Sequence, residues 1–132
     1  MAAAALTLAA PFALAQPAHA EDEQASLTFV NSQGVPVTCY LFARNVDADP
    51  YQVSGRSDVG PSPECNGEHE MAVAYKDQEG DEHTFSTYTP SSHLLSVHVE
   101  GHDVRIAHRV TFTGCDLSQS ATCSLTLLTS TK

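Results

Sequence analysis

The sequence contains no tryptophan, and only 6 Lys and Arg stand against 16 Asp and Glu among its 132 residues. At a formal net charge of −10, it lacks the Lys/Arg surface that nucleic-acid phosphates require. Docking on anionic lipid needs the same surface and is disfavoured for the same reason. Beyond the first twenty residues no apolar run approaches the ~18 needed for a membrane-spanning helix, so no insertion is expected. Apolar residues at i, i+3, i+4 spacing are missing from every window of useful length. Catalytic signatures are also missing. There is no His-Glu-x-x-His, Gly55-Arg56-Ser57-Asp58 is not a Gly-x-Ser-x-Gly elbow, and the paired carboxylates fall in turns with no apolar pocket to raise a pKa. The chain therefore reads as non-enzymatic. What remains, 42% hydrophobic and 17% charged, suits the packed core of one domain rather than a disordered tail.

Residues 1–20 carry no acidic side chain and no Lys or Arg. An apolar core from Ala2 to Ala15 breaks at Gln16-Pro17, ends in the small-x-small box Ala18-His19-Ala20, and is followed by Glu21-Asp22-Glu23. That is the layout of a secretory signal, although the usual positively charged start is missing. Cleavage near Ala20 would leave a single domain, 21–132, secreted or periplasmic.

Export decides how Cys39, Cys65, Cys115 and Cys123 are read. An even count in an oxidising compartment implies two disulfides, and four cysteines allow three connectivities. Cys115 and Cys123 flank a short polar loop that can turn back, so they are paired, and Cys39–Cys65 follows by elimination. No C-x-x-C pair supports a zinc-thiolate alternative.

After residue 25 the pattern is a two-residue alternation. Leu27 and Phe29 alternate with Ser26 and Thr28, and Asn31-Ser32-Gln33-Gly34 reads as a turn. Val35, Val37, Cys39, Leu41 and Ala43 then face one way, with Thr38, Tyr40 and Phe42 opposite. Met71, Val73 and Tyr75 alternate before the acidic turn Asp77–Glu82, Phe85 and Thr87 follow it, and Cys123, Leu125 and Leu127 share a face. Leu95, Val97 and Val99, then Val104, Ile106, His108, Val110 and Phe112, read as a hairpin around Gly101-His102-Asp103. Its register pairs Val99 with either Ile106 or Val104. About seven strands point to an all-β, immunoglobulin-like two-sheet sandwich, with a small Greek-key barrel as the alternative. The immunoglobulin Cys…Trp…Cys pattern is not met. The least strand-like stretch, Arg44 to Glu70, reads as a long loop pinned by the Cys39–Cys65 bridge, with room for one short strand at Tyr51 and Val53.

Two sets of residues are candidates for function. Loops on rigid sandwiches bind partners, so Asp47, Asp49, Tyr51, Arg56 and Asp58 in the long loop form a candidate surface for a protein or small-molecule partner. Histidine is the other excess, with five between positions 83 and 108. His98 and Glu100 share an outward face, His102 lies at the turn, and His83 could join them to hold Cu²⁺ or Zn²⁺. Positions i and i+4 on a strand are about 13 Å apart, so the plainer reading is exposed polar residues on a solvated sheet face, with a pH-responsive surface as a third reading. His108 differs, since its apolar parity makes it a core residue with one hydrogen bond. Asp77–Glu82 offers oxygens to Ca²⁺ but lacks the spacing of a calcium loop, so a solvated turn is preferred. The expected function is a secreted, non-enzymatic binding module without cofactor. Metal binding, hydrolase inhibition and small-ligand carriage are the alternatives.

Overall fold

The computed structural model describes residues 21–49 and 52–130. The reading of 1–20 as a signal, and Tyr51, lie outside them. The described residues form eight strands: β1 (Glu21–Val30), β2 (Pro36–Asp49), β3 (Gln52–Gly60), β4 (Gly67–Lys76), β5 (Glu82–Ser92), β6 (Leu94–Glu100), β7 (His102–Phe112) and β8 (Ser124–Ser130). They make two antiparallel sheets of four strands, ordered β1-β2-β3-β6 and β5-β4-β7-β8. The architecture is an all-β sandwich of two separate sheets, not a barrel.

The alternation explains the packing. Phe29, Val37, Cys39, Leu41, Val59, Val110 and Phe112 turn inward and form one core cluster. Val53, Met71, Val73, Val99, Val104 and Ile106 form a second. Phe29 and Phe112 stack across the first with ring centroids 5.5 Å apart. At roughly 1.5–3 kcal/mol per fully buried large apolar side chain, these clusters dominate the folding energy. Val35 is the exception to its expected parity: it precedes β2 and is exposed.

The expected loop over 44–70 is mostly strand. β2 runs on to Asp49 and β3 pairs with both β2 and β6, and among the described residues a 3-10 turn at Pro63–Cys65 follows before β4. The inward positions of β3 are Val53, Gly55, Ser57 and Val59, all buried. Two of these four are not apolar, which hid the alternation. A Cβ at Gly55 would stand 2.5 Å from the Ile106 side chain, and Ser57 is held by a hydrogen bond to His108.

The hairpin expected over 95–112 is also corrected. β6 pairs with β3 and β7 pairs with β4 and β8, so the chain crosses from one sheet to the other at Gly101. Neither register forms. The apolar residues of both strands still face the core, now from opposite sheets. Gly101 is buried at this crossing, where a Cβ would lie 2.5 Å from the Tyr75 ring and 2.7 Å from the Lys76 carbonyl. Asp103 follows in the left-handed region at φ 52°, which Asp tolerates better than most side chains.

Both disulfides form as expected, Cys39–Cys65 and Cys115–Cys123, with Cα separations of 5.5 and 5.6 Å. Cys39 and Cys65 are fully buried, so this bridge ties β2 to the turn preceding β4. Two bridges in so small a domain fit an oxidising compartment. No helix among the described residues is long and apolar enough to cross a membrane.

Candidate functional site

The proposed metal ligands are not gathered. His98 and Glu100 lie on β6, opposite Ser54 and Gln52 of β3, while His83 and His102 belong to the other sheet, on β5 and β7. His83 Nε2 lies 2.7 Å from Asp77 Oδ2, and its ring stacks on Tyr75 at 5.2 Å. His102 Nδ1 is 3.4 Å from Asp103. In the acidic turn, Asp77 Oδ1 accepts the backbone N–H groups of Glu79 and Asp81. The His83 hydrogen bond, then those backbone donors, hold the Asp77 carboxyl below its ordinary pKa. Among the described residues no three His, Cys, Asp or Glu are placed to share one ion.

The interior holds a polar link instead. His108 is buried between the two core clusters, with Nδ1 2.8 Å from Ser57 Oγ and Nε2 2.7 Å from Thr129 Oγ1. It makes two hydrogen bonds where the sequence suggested one. Burial lowers its pKa to about 3, so the ring is neutral, donating through one nitrogen and accepting through the other. The Ser57–His108 distance suits a nucleophile and base, but Ser57, His108 and Thr129 are all buried. The third member is a hydroxyl, not a carboxylate that could stabilise an imidazolium. Its geometry is that of a link between β3 of one sheet and β7 and β8 of the other. His69 is buried too, with Nε2–H donating to the Ser92 carbonyl at 3.1 Å. Desolvation lowers its pKa against the opposing effect of that bond.

The concave feature with convergent polar groups lies on the outer face of the β1-β2-β3-β6 sheet. Arg44 sits directly opposite Asp22 on one side and Arg56 on the other, and Arg56 opposite Ser96. The next row runs Gln24, Phe42, Asp58, Leu94. Arg44 donates through Nε to Asp22 Oδ1 at 3.0 Å and through Nη2 to Oδ2 at 3.4 Å. Arg56 Nε donates to Asp58 Oδ2 at 2.8 Å. These hydrogen bonds hold the Asp22 carboxyl below its ordinary pKa and raise both guanidiniums further above theirs. Both arginines are therefore cations throughout the accessible pH range. An open groove of about 600 Å³ is lined by Asp22, Glu23, Gln24, Phe42, Ala43, Arg44, Arg56 and Asp58.

Beside this groove Tyr40 and Phe42 lie near-parallel, centroids 5.9 Å apart and 17° between planes, with Phe42 41% exposed. Val46 and Leu94 extend the apolar area of the same face. Of the sequence candidates, Arg56 and Asp58 belong to this site, but on a strand rather than a loop. Asp47 and Asp49 lie on the β2 backbone where it pairs with Val53 and Gln52. Arg44, Tyr40 and Phe42 were missed. The available signal was two aromatic rings and an arginine on the polar parity of a strand, where small polar residues are the norm.

Comparison with family models, with curated proteins and with solved structures finds no match to this chain.

Proposed function

We propose that this is an extracytoplasmic, non-enzymatic binding module that holds its ligand on the outer face of the β1-β2-β3-β6 sheet rather than on loops. One observation carries the reading: an aromatic pair, exposed Phe42 stacked on half-buried Tyr40, adjoins two arginines placed directly opposite each other, each arginine held by its own aspartate. Like charges opposite each other on neighbouring strands disfavour pairing, so the two aspartates offset a cost that a purely structural surface would avoid.

The chemistry favours a neutral carbohydrate chain. Sugar rings present flat C–H faces to aromatic rings and in-plane hydroxyls to planar groups such as guanidinium and carboxylate. Arg44 and Arg56 stand against Asp22, Asp58 and Glu23, which leaves the groove close to neutral, while the net charge of −10 repels a polyanion at longer range. An open groove on a flat face admits a segment of a longer chain without requiring its end. Strand-borne side chains also hold their positions better than loop-borne ones. The apolar N-terminal run with its Ala18-His19-Ala20 box, and two disulfides, support secretion.

We also read the sandwich as immunoglobulin-like. Two antiparallel sheets of four strands pack face to face around alternating inward side chains, and a buried disulfide ties β2 to the turn that leads into the other sheet.

Calorimetric titration against a panel of neutral polysaccharides tests the function. At least one should bind the wild type, and Phe42→Ala should weaken it by roughly fivefold or more, the scale of a lost aromatic stacking contact of about 1–3 kcal/mol. Because Phe42 is exposed, its loss should shift stability by no more than about 0.5 kcal/mol. Failure of every neutral polysaccharide to bind, or undiminished binding by Phe42→Ala, would overturn the assignment.

A further inference from the structure

The free edges of the two sheets are not equally protected. β1 begins with Glu21-Asp22-Glu23, and its other end is tied to the 113–123 segment, where Val30 N–H donates to Ser120 Oγ and Asp116 N–H to the Val30 carbonyl. β8 has seven residues and lies against β1 of the opposite sheet. β6 also has seven residues and ends in Glu100. β5 has eleven residues, pairs only with β4 among the described strands, and buries none of its side chains. Even its inward-facing Phe85 is 36% exposed, so β5 stands out beyond the cover of β6.

Natural edges are blunted by charge, proline or bulges. β5 has Glu82 at one end and Pro90 near the other, and from Thr84 to Thr89 it carries no charged side chain. On a protein of net charge −10, an uncharged, unpaired edge is where two copies can approach with least repulsion. We propose that two copies of the chain pair antiparallel along β5, joining their second sheets into one continuous eight-stranded sheet. The dyad of such a pairing stands perpendicular to the sheet, so facing residues must share parity. Centred on Phe85, the pairing sets that ring against its own copy, Thr84 against the partner's Ser86, His83 against the partner's Thr87 and Glu82 against the partner's Tyr88. No like charges meet, and Pro90 stays outside the paired stretch.

The dyad also turns the outer faces of both β1-β2-β3-β6 sheets to the same side of the dimer. Two grooves facing one way can engage one polymeric ligand together, which raises avidity without any new contact. This consequence rests on the function proposed above; the pairing itself does not.

Sedimentation velocity over a hundredfold concentration range tests the pairing without any ligand. The wild type should shift from monomer to a species of twice the chain mass. Thr84→Lys/Ser86→Lys places lysine opposite lysine at exposed positions and should abolish that species while leaving the circular dichroism unchanged. Thr84→Lys/Ser86→Glu places lysine opposite glutamate and should restore it. A monomeric wild type at every concentration, or a double-lysine variant that dimerises as well as the wild type, overturns the proposal. A lysine–glutamate variant that stays monomeric overturns the Phe85-centred register. Because mass is the readout, a dimer that binds no polysaccharide would count against the ligand assignment and not against the pairing.

Discussion

The neutral imidazole of His108, enclosed by Ser57 and Thr129, makes the folded state sensitive to acid. With a folded pKa of about 3 and an ordinary unfolded value near 6.5, the unfolded chain binds a proton in that interval and the native chain does not. The stabilisation is complete above pH ~6.5 and is lost progressively as pH falls towards 3, at about 1.4 kcal/mol per pH unit for each such group. His69, also depressed by burial, acts in the same direction. Urea unfolding followed from pH 7.5 to pH 4.5 should therefore show a steadily falling midpoint. His108→Gln should flatten the slope while lowering stability at neutral pH. A midpoint independent of pH above 5 would contradict this account. His108 was legible as a core residue because it sits between Ile106 and Val110 on the apolar parity. Its partners were not, since Ser57 and Thr129 lie 51 and 21 residues away and hydroxyls on strands are ordinary.

At the level of elements, what the alternation reveals is facing, not pairing. β6 and β7 bury the same residues that a hairpin would have buried. A strand pair joined by a tight turn and a pair that crosses between sheets present identical two-residue patterns, so the choice falls to the connection. Gly101 makes that choice by admitting close approach to Tyr75 and the Lys76 carbonyl. Gly101→Ala should cost roughly 1–3 kcal/mol, the range for forcing volume into a packed site, measurable by thermal or urea unfolding. A change under 0.5 kcal/mol would mean that the crossing relaxes freely. β3 was illegible for a related reason: Gly55 and Ser57 occupy inward positions that periodicity expects to be apolar. The same misreading placed Arg56 and Asp58 on a loop when they stand on a strand beside Arg44 and Phe42.

Across the whole molecule, the two sheets are held by two core clusters, the His108 link and one buried disulfide. Cys39–Cys65 spans 26 residues and Cys115–Cys123 only 8, so loop-closure entropy favours the first as the stronger staple. Cys39→Ser/Cys65→Ser should lose roughly 2–5 kcal/mol and melt well below Cys115→Ser/Cys123→Ser; the reverse order would contradict it. Both pairings were legible from the cysteine count and the short polar loop between Cys115 and Cys123. The binding face was not, because its members come from three strands that only the register brings side by side. If the proposed function holds, this face, and not the loops, meets the ligand. Amide chemical-shift mapping during titration with a neutral oligosaccharide that binds would locate the contact. Shifts should concentrate at Gln24, Phe42, Arg44, Arg56 and Asp58, with little change at the turns 31–34 and 77–81. Shifts gathered at those turns, with the β2 and β3 amides unmoved, would contradict it.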